Sequence, residues 1–386
     1  MKPFDDAAIV GAFESPRRKC DGEHPFQLFQ EVICGALDDA GLTLADVDGL
    51  CVTAGDTGEG GSTEDVIEIA EYVGLRPTYF EATDVGGCSA IVHTAYAAAA
   101  IAAGLANTVV VAYAACPRRF PFGPSTAMSW PAGPGATEMP FGMSTVSAYG
   151  LFAQRHMHDY GTSAEQLASI AVTARANAAL NENALFRDPI TTDDVLASPI
   201  ICSPFHRLDC CVVSDSGGAV VLTRKDRARD SRKTPVKIQG FGAAADRVHV
   251  SQVADFTVSP GAVSGPRAFE MAGVTPKDID VAQMYDAFTI TPLIALEDLG
   301  FCPKGEGGPF CASGAIGPDG EIPINTDGGG LSSNHPGKRG VFALIEGIRQ
   351  LRGEGPGVQV SDCELSLVHG VGGFFSSSAT MILASA

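Results

Sequence analysis

A helix–glycine–strand unit occurs twice in this chain and constrains its fold more than any other feature. Glu31-Val-Ile-Cys-Gly-Ala-Leu-Asp-Asp-Ala-Gly41-Leu-Thr-Leu-Ala-Asp-Val-Asp48 reads as a helix, a glycine stop and the approach to a strand. Ala268-Phe-Glu-Met-Ala-Gly273-Val-Thr-Pro-Lys-Asp-Ile-Asp280 repeats the pattern. Each copy runs into a short apolar stretch, Gly49-Leu-Cys-Val-Thr and Val281-Ala-Gln-Met. A unit repeated at this separation implies two halves of similar α/β fold, residues 1–232 and 233–386.

Other apolar runs extend the alternation. Ala8-Ile-Val, Thr108–Ala112, Cys211 onward to Leu222, Val236–Phe241, Leu365–His369 and Thr380–Leu383 read as strands. Ser89 to Ala103 is an alanine-rich helix stopped by Gly104. Residues 115–205 are rich in Pro, Gly, Ser and Met and contain one clear helix, Ala164 to Asn181. That segment reads as an insertion in the first half, lying over a pocket. Its Phe120, Phe122, Trp130 and Phe141 suggest a bulky or aromatic ligand group.

With 386 residues, 45% of them hydrophobic, and a mean hydropathy of +0.13, the chain can bury large cores. A net charge of −19 argues against nucleic acid and anionic membranes as partners. Arg17-Arg18-Lys19 and Arg118-Arg119 are either local phosphate attractors or solvated surface charge. No signal peptide opens the chain, no apolar window is long enough to span a bilayer, and the C-terminus carries no peroxisomal address. The 11 cysteines, with no C-x-x-C pair, suit reduced thiols in a cytoplasm. His156-x-His158 reads as surface, so no metal site is expected.

Four places carry candidate chemistry. The run Asn325-Thr-Asp-Gly-Gly-Gly-Leu-Ser-Ser-Asn-His335-Pro-Gly337 is too rich in glycine for a regular helix or central strand. It presents one imidazole at or just before a helix N-terminus, where a histidine tends to stay neutral. Val85-Gly-Gly-Cys88-Ser89 sets a thiol at a helix start, where the helix field lowers its pKa; the alternative is a small buried residue packed beneath the helix. Met284-Tyr285-Asp286-Ala-Phe-Thr289 offers a phenol. Val368-His369-Gly370-Val-Gly372-Gly373-Phe374 reads as a glycine nest between strands, able to donate N–H groups to an oxyanion. His93 reads as a packed core histidine.

In this order, on a duplicated α/β chain, these motifs resemble the thiolase superfamily, and within it the sterol-carrier-protein type and the thiolase-like lipid-transfer proteins. Asp209-Cys-Cys-Val-Val-Ser-Asp215, Tyr285-Asp-Ala-Phe-Thr-Ile290, Leu296-Glu-Asp-Leu-Gly-Phe-Cys302 and Leu367-Val-His-Gly-Val-Gly-Gly373 carry the likeness. It implies two mixed five-stranded sheets in αβαβα layers and chemistry on acyl-CoA thioesters in lipid breakdown. Coenzyme A would be a (co)substrate, with no bound cofactor. His335 matches the family's Gly-His-Pro histidine, with Asn334 in place of the glycine. Tyr285 stands where the family has an Asn, and Gly370 where it has a late cysteine, with His369 beside it as the substitute proton carrier. Counted without a gap, the family's nucleophile falls on Gly87; a one-residue shift restores Cys88.

Three activities stay open on this resemblance. One is an acyltransferase of Claisen type using Cys88, His335 and His369 or Tyr285. Another is a retro-aldolase of steroid side chains that relies on tyrosine. The last is a non-catalytic acyl-CoA or lipid carrier. The resemblance also implies a homodimer, with Thr108–Ala112 as the candidate pairing edge, and a small OB-fold zinc-ribbon subunit as partner.

Overall fold

The computed structural model describes residues 4–53, 65–119 and 134–385. The first half runs β1 (Ala7–Glu14), α1 (Pro25–Ala40), β2 (Gly49–Val52), α2 (Asp65–Val73), β3 (Tyr79–Glu81), α3 (Ser89–Ala102) and β4 (Thr108–Ala115). Then come α4 (Pro134–Glu138), α5 (Thr145–Tyr160), α6 (Ala164–Ala179), α7 (Thr192–Ala197), β5 (Ile200–Cys202) and β6 (Phe205–His206). The half closes with β7 (Ser216–Arg224) and α8 (Lys225–Ala228). The second half is β8 (Val236–Ala245), α9 (Gly261–Ala272), β9 (Val281–Met284), α10 (Ile290–Asp298), α11 (Gly307–Ala312), α12 (Gly340–Arg352), β10 (Leu365–Gly372) and β11 (Ser377–Ser385).

The duplication is visible down to single contacts. Gly41 ends α1 at φ 74° and Gly273 ends α9 at φ 76°, both in the left-handed region that glycine enters without strain. Beyond each stop a threonine and an aspartate close a tight turn. Thr43 N and Oγ1 both donate to Asp46 at 2.9 Å, and Thr275 N and Oγ1 both donate to Asp278 at 2.7 Å. Strand and helix also touch the same way in both halves. A Cβ on Gly11 would stand 2.1 Å from Ala36 O, and one on Gly240 would stand 2.2 Å from Ala268 O.

The strand order is β3-β2-β4-β7-β1 in the first half and β8-β11-β10-β9 in the second. Parallel β2–β3 and β2–β4 pairs are matched by parallel β9–β10, and antiparallel β4–β7–β1 by β10–β11–β8. The expected fifth strand of the second sheet is a single parallel bridge, Ala282↔Ile324. Pro323, which has no N–H to donate, prevents that ladder from extending. The halves are also joined edge to edge, through the one pair Ile9↔Val236 of β1 and β8.

The five layers follow from which faces are apolar. Ile91, Ala95 and Ile101 of α3 and Phe342, Leu344 and Ile348 of α12 share one core with Val109, Val111, Val220 and Leu222 of the first sheet and Val368, Met381 and Leu383 of the second. Helices α3 and α12 therefore form the middle layer, and most residues of both are buried because both sides are covered. Helices α1 and α2 cover the outer face of the first sheet. Helices α9 and α10, joined by α5 and α6, cover that of the second.

Several expectations change here. Thr108–Ala112 lies in β4, hydrogen-bonded to β2 on one side and β7 on the other, so it is no free edge; the sheet ends at β3. The insertion is more ordered than its composition suggests: besides α6 it contains α5, whose Tyr149 and Phe152 belong to the second half's core. Cys211 precedes β7, which starts at Ser216. Phe141 is exposed, while Phe120, Phe122 and Trp130 lie outside the described residues. Among the described residues no helix is long and apolar enough to cross a membrane.

Candidate active site

Residues 328–335 fold into a cradle whose first two positions only glycine could fill. Gly328 has φ 101°, and a Cβ there would stand 2.4 Å from Ala178 Cβ of α6. Gly329 has φ 65°, and its Cβ would stand 2.1 Å from Asp286 Oδ2. The chain makes one wide turn, closed by Asn334 N donating to Gly329 O at 3.2 Å, then extends through His335. Helix α12 begins at Gly340, so His335 precedes it by more than a turn.

A buried ion cluster fixes this loop. Arg339 Nη2 donates to both oxygens of Asp327 at 2.6 and 2.8 Å, and Nη1 donates to Asn334 O at 2.9 Å, tying the two ends of the loop together. Its Nε lies 3.3 Å from Asp286 Oδ1, an ion-pair contact without hydrogen-bond alignment. Asp286 accepts from Gly330 N at 2.7 Å and Leu331 N at 3.2 Å. Burial pushes the Asp286 carboxyl up to about 7, partly countered by Arg339. Burial also opposes charge on Asp327, but Arg339 and its hydrogen bonds win, and its pKa is lowered. Asn334, in the family's glycine position, accepts from Ser214 Oγ at 2.6 Å and donates to Glu14 Oε1 at 3.0 Å.

His335 is thereby held by its backbone, whose N–H donates to Ser214 Oγ at 2.8 Å. Among the described residues its Nε2 has no hydrogen-bond partner. Burial, and then the charge of Arg339, lower its pKa to about 4, so the ring is neutral at neutral pH. Tyr285 meets it edge-on, with ring centroids 5.4 Å apart. The Tyr285 hydroxyl donates to Gly337 O at 3.1 Å, and burial, with Tyr149 nearby, raises its pKa well above the usual 10.

The structure separates the two candidate nucleophile positions. Gly87 faces the tyrosine: a Cβ there would stand 2.2 Å from Tyr285 Cε2 and 2.5 Å from Val371 O. Cys88 turns toward Ser377. Its Sγ contacts Val85 O at 3.4 Å and Ser377 Oγ at 3.3 Å, and burial pushes the thiol up to about 11. The expected lowering at a helix start is absent because desolvation outweighs the hydrogen bond with Ser377.

His369 is likewise turned away. Its Nδ1 bonds Thr380 Oγ1 at 2.9 Å, and its Cε1 would stand 3.3 Å from a Cβ on Gly261 of α9. Side chains alternate along β10, so His369 takes the face opposite Gly370. Gly370 instead backs onto Cys88, where a Cβ would stand 3.0 Å from Cys88 Cβ. Gly370 and Gly372 are ladder residues of β10, paired with Ala379 and Ser377, so they form no nest; Gly373, at φ 57°, begins the hairpin turn.

Other expectations resolve similarly. His156 is buried, bonded to Thr162 Oγ1 at 2.8 Å and to Glu297 at 3.1 Å, while His158 is exposed. Arg18 is buried against Glu14 at 2.7 Å and Arg17 pairs with Glu23 and Glu31, so this basic run is internally matched. His93 is buried in the core, where desolvation lowers its pKa to about 4. No group of three potential metal ligands occurs among the described residues.

Sequence reasoning passed over Arg339 and Tyr149. The hydroxyl of Tyr149 donates to Gly373 O at 2.9 Å, and its ring packs tilted against those of Phe288 and Phe375, with centroids 4.8 and 4.9 Å away. Arg339 directly follows Lys338 and carries no local signal of burial. Only its distance from Asp327, at the other end of a glycine loop, hints at a clamp.

Several known proteins resemble this chain. The family described as thiolase C-terminal domain-like matches residues 242–385. An acetyl-CoA acetyltransferase of Methanothermobacter thermautotrophicus is 33% identical over 98% of this chain and 99% of its own. The chain belongs to the thiolase superfamily. A 17-hydroxy-3-oxo-4-pregnene-20-carboxyl-CoA lyase of Mycobacterium tuberculosis is 37% identical over 90% of this chain and 92% of its own. A solved structure described as an Ltp2-ChsH2(DUF35) aldolase superimposes with a TM-score of 0.89 at 32% identity, covering 98% of each chain. Counted without a gap, the resemblance implies cysteine where glycine stands at position 87, and asparagine where Tyr285 stands.

Proposed function

We propose that this chain is a carbon–carbon lyase that cleaves a β-hydroxyacyl-CoA by retro-aldol chemistry, without an acyl-enzyme. One observation carries the reading: Tyr285 fills the space that a side chain at position 87 would need, and the neighbouring thiol of Cys88 is buried against Ser377. Neutral His335 takes the proton of the β-hydroxyl at Nε2, the Cα–Cβ bond breaks as the carbonyl forms, and the electron pair passes to the thioester enolate. Tyr285, protonated because its pKa is so far raised, delivers a proton to Cα. The proton on His335 then returns to the phenolate, closing the cycle. Developing enolate charge beside the ring increases the basicity of His335 during the step. Similarity to the Mycobacterium tuberculosis lyase and to the Ltp2 aldolase structure supports this branch.

The experiment is turnover of β-hydroxyacyl-CoA thioesters by Tyr285→Phe and His335→Ala. Each should lose about 10²–10⁴-fold in kcat, the usual worth of a general acid or base. Retention of activity within tenfold in His335→Ala would reject the assignment, and absence of turnover in the wild type would favour a carrier.

A second reading is favoured by the similarity to an acetyl-CoA acetyltransferase over nearly the whole chain. There, residues 85–88 would shift to turn Cys88 toward the substrate for Claisen chemistry on a β-keto acyl-CoA. A mass increment on Cys88 after incubation with acyl-CoA separates the two.

The same proposal includes a cytoplasmic homodimer joined through the free edge β3, where Phe80 is exposed. It also includes a small OB-fold zinc-ribbon subunit, supported by the DUF35 component of the similar aldolase. Coenzyme A enters as part of the substrate.

A further inference from the structure

We propose that Asn181, backed by Asn177 of α6, is a positioning residue: it braces the glycine loop from the side of the insertion and so fixes where His335 presents its ring. This rests on the role given to His335 above, and the test below separates the two.

The last turns of α6, Ala174-Arg-Ala-Asn-Ala-Ala179, are alanine apart from Arg175 and Asn177, and both of these reach the loop. Arg175 Nε donates to Ser332 Oγ at 2.9 Å. Asn177 Nδ2 donates to Ile324 O at 3.0 Å and Asn325 O at 3.2 Å, where the chain enters the loop with Asn325 left-handed at φ 47°. Asparagine is a poor helix former, and at position 177 its amide does what alanine could not. Beyond the helix, Asn181 Nδ2 donates to Asp327 O at 3.0 Å and to Ser333 Oγ at 3.4 Å. Main-chain carbonyls only accept, so the nitrogen of each amide must face the loop. The Asn181 Oδ1 turns back to accept from Asn183 N at 3.0 Å. Both asparagines are buried. The chain then runs along the loop's far end, where Leu185 N donates to Ser333 O and Phe186 N to Ser332 O, each at 3.0 Å.

Asn181 therefore spans the same gap as Arg339. Arg339 ties the Asp327 carboxylate to Asn334 O, and Asn181 ties the Asp327 carbonyl to Ser333. His335 follows immediately, so its ring takes its place from where these braces hold residues 333 and 334. With the Asn181 amide gone, one brace remains, and proton transfer tolerates little displacement of the group that carries it out.

The test compares three variants of the full chain. Asn181→Ala removes the amide, and the isosteric Asn181→Asp keeps the Oδ1 acceptor but loses the donor. Val172→Ala is the control, because Val172 packs with Val195 and Leu196 of α7 and loosens α6 there instead. The readouts are kcat and KM for a β-hydroxyacyl-CoA, and the rate at which diethyl pyrocarbonate modifies His335, followed by peptide mass. Both Asn181 variants should lose about 10–100-fold in kcat with KM within about threefold of wild type. Their His335 should react at least about fivefold faster than in the wild type, where Nε2 is buried, because a loosened loop opens more often. Val172→Ala should match the wild type in both respects. Folded Asn181 variants that keep wild-type kcat and wild-type His335 reactivity would overturn the inference. So would equal effects in Val172→Ala, or failure of both Asn181 variants to fold, since either makes the residue a general support of α6. If the wild type turns over no β-hydroxyacyl-CoA, the retro-aldol reading fails, and the reactivity of His335 alone decides whether Asn181 positions it.

Discussion

Gly87→Ala adds one methyl group at the place where the two proposed mechanisms part. Gly87 does not occupy the left-handed region, so the substitution meets no backbone strain and its effect comes from space alone. The new Cβ would stand 2.2 Å from Tyr285 Cε2 and 2.5 Å from Cζ, against roughly 3.5–4.0 Å for ordinary carbon contacts. Relief therefore requires the ring to move by more than about 1 Å. The third close atom, Val371 O at 2.5 Å, is main chain of β10 and cannot move aside. Overpacking of this kind typically costs about 1–3 kcal/mol. A shift of about 1 Å in a proton donor costs on the order of 10²-fold in rate, equivalent to about 2.7 kcal/mol in the barrier. The prediction is a modest loss of stability in chemical denaturation and at least a hundredfold loss in kcat on a β-hydroxyacyl-CoA. If Gly87→Ala melts and turns over like the wild type, the tyrosine does not occupy the nucleophile's place and the retro-aldol argument fails.

Cys88→Ala should keep turnover within about threefold in steady-state assays, because the thiol faces Ser377; loss of activity would move the protein to the Claisen branch. Arg339→Met should destabilise by about 3–5 kcal/mol in urea unfolding, since it removes the charge and the fork that satisfy buried Asp327 and strands two carboxyl groups. His369 is buried with its pKa lowered to about 4, so the unfolded chain binds more protons than the folded one between about 4 and 6.5. Its contribution to stability is present above that window and lost as pH falls through it. Asp286 and Glu346, raised to about 7, act in the opposite sense over the same range, so the readout is a difference. His369→Gln should lose less stability than the wild type between pH 6.5 and 4, and parallel curves would show that the ring is not held neutral.

Much of this molecule was determined locally and could be read without coordinates. Gly41 and Gly273, with the threonine–aspartate turns after them, announce two similar halves because helix stops and capping turns depend on only a few neighbouring residues. The glycine run ahead of His335 likewise declares a close approach, and the structure supplies its partners, Ala178 and Asp286. What tertiary structure alone decided is direction. Gly87 and Cys88 are adjacent in sequence, yet one faces Tyr285 and the other Ser377, a choice set by how the start of α3 docks on β10 and β11. His369 and Gly370 divide in the same way, because neighbours on a strand point to opposite faces and only the packed sheet says which face meets the site. Arg339 becomes a clamp only when both ends of its loop return to it. Residue chemistry is written in the chain, but the side on which it is presented is a property of long-range packing.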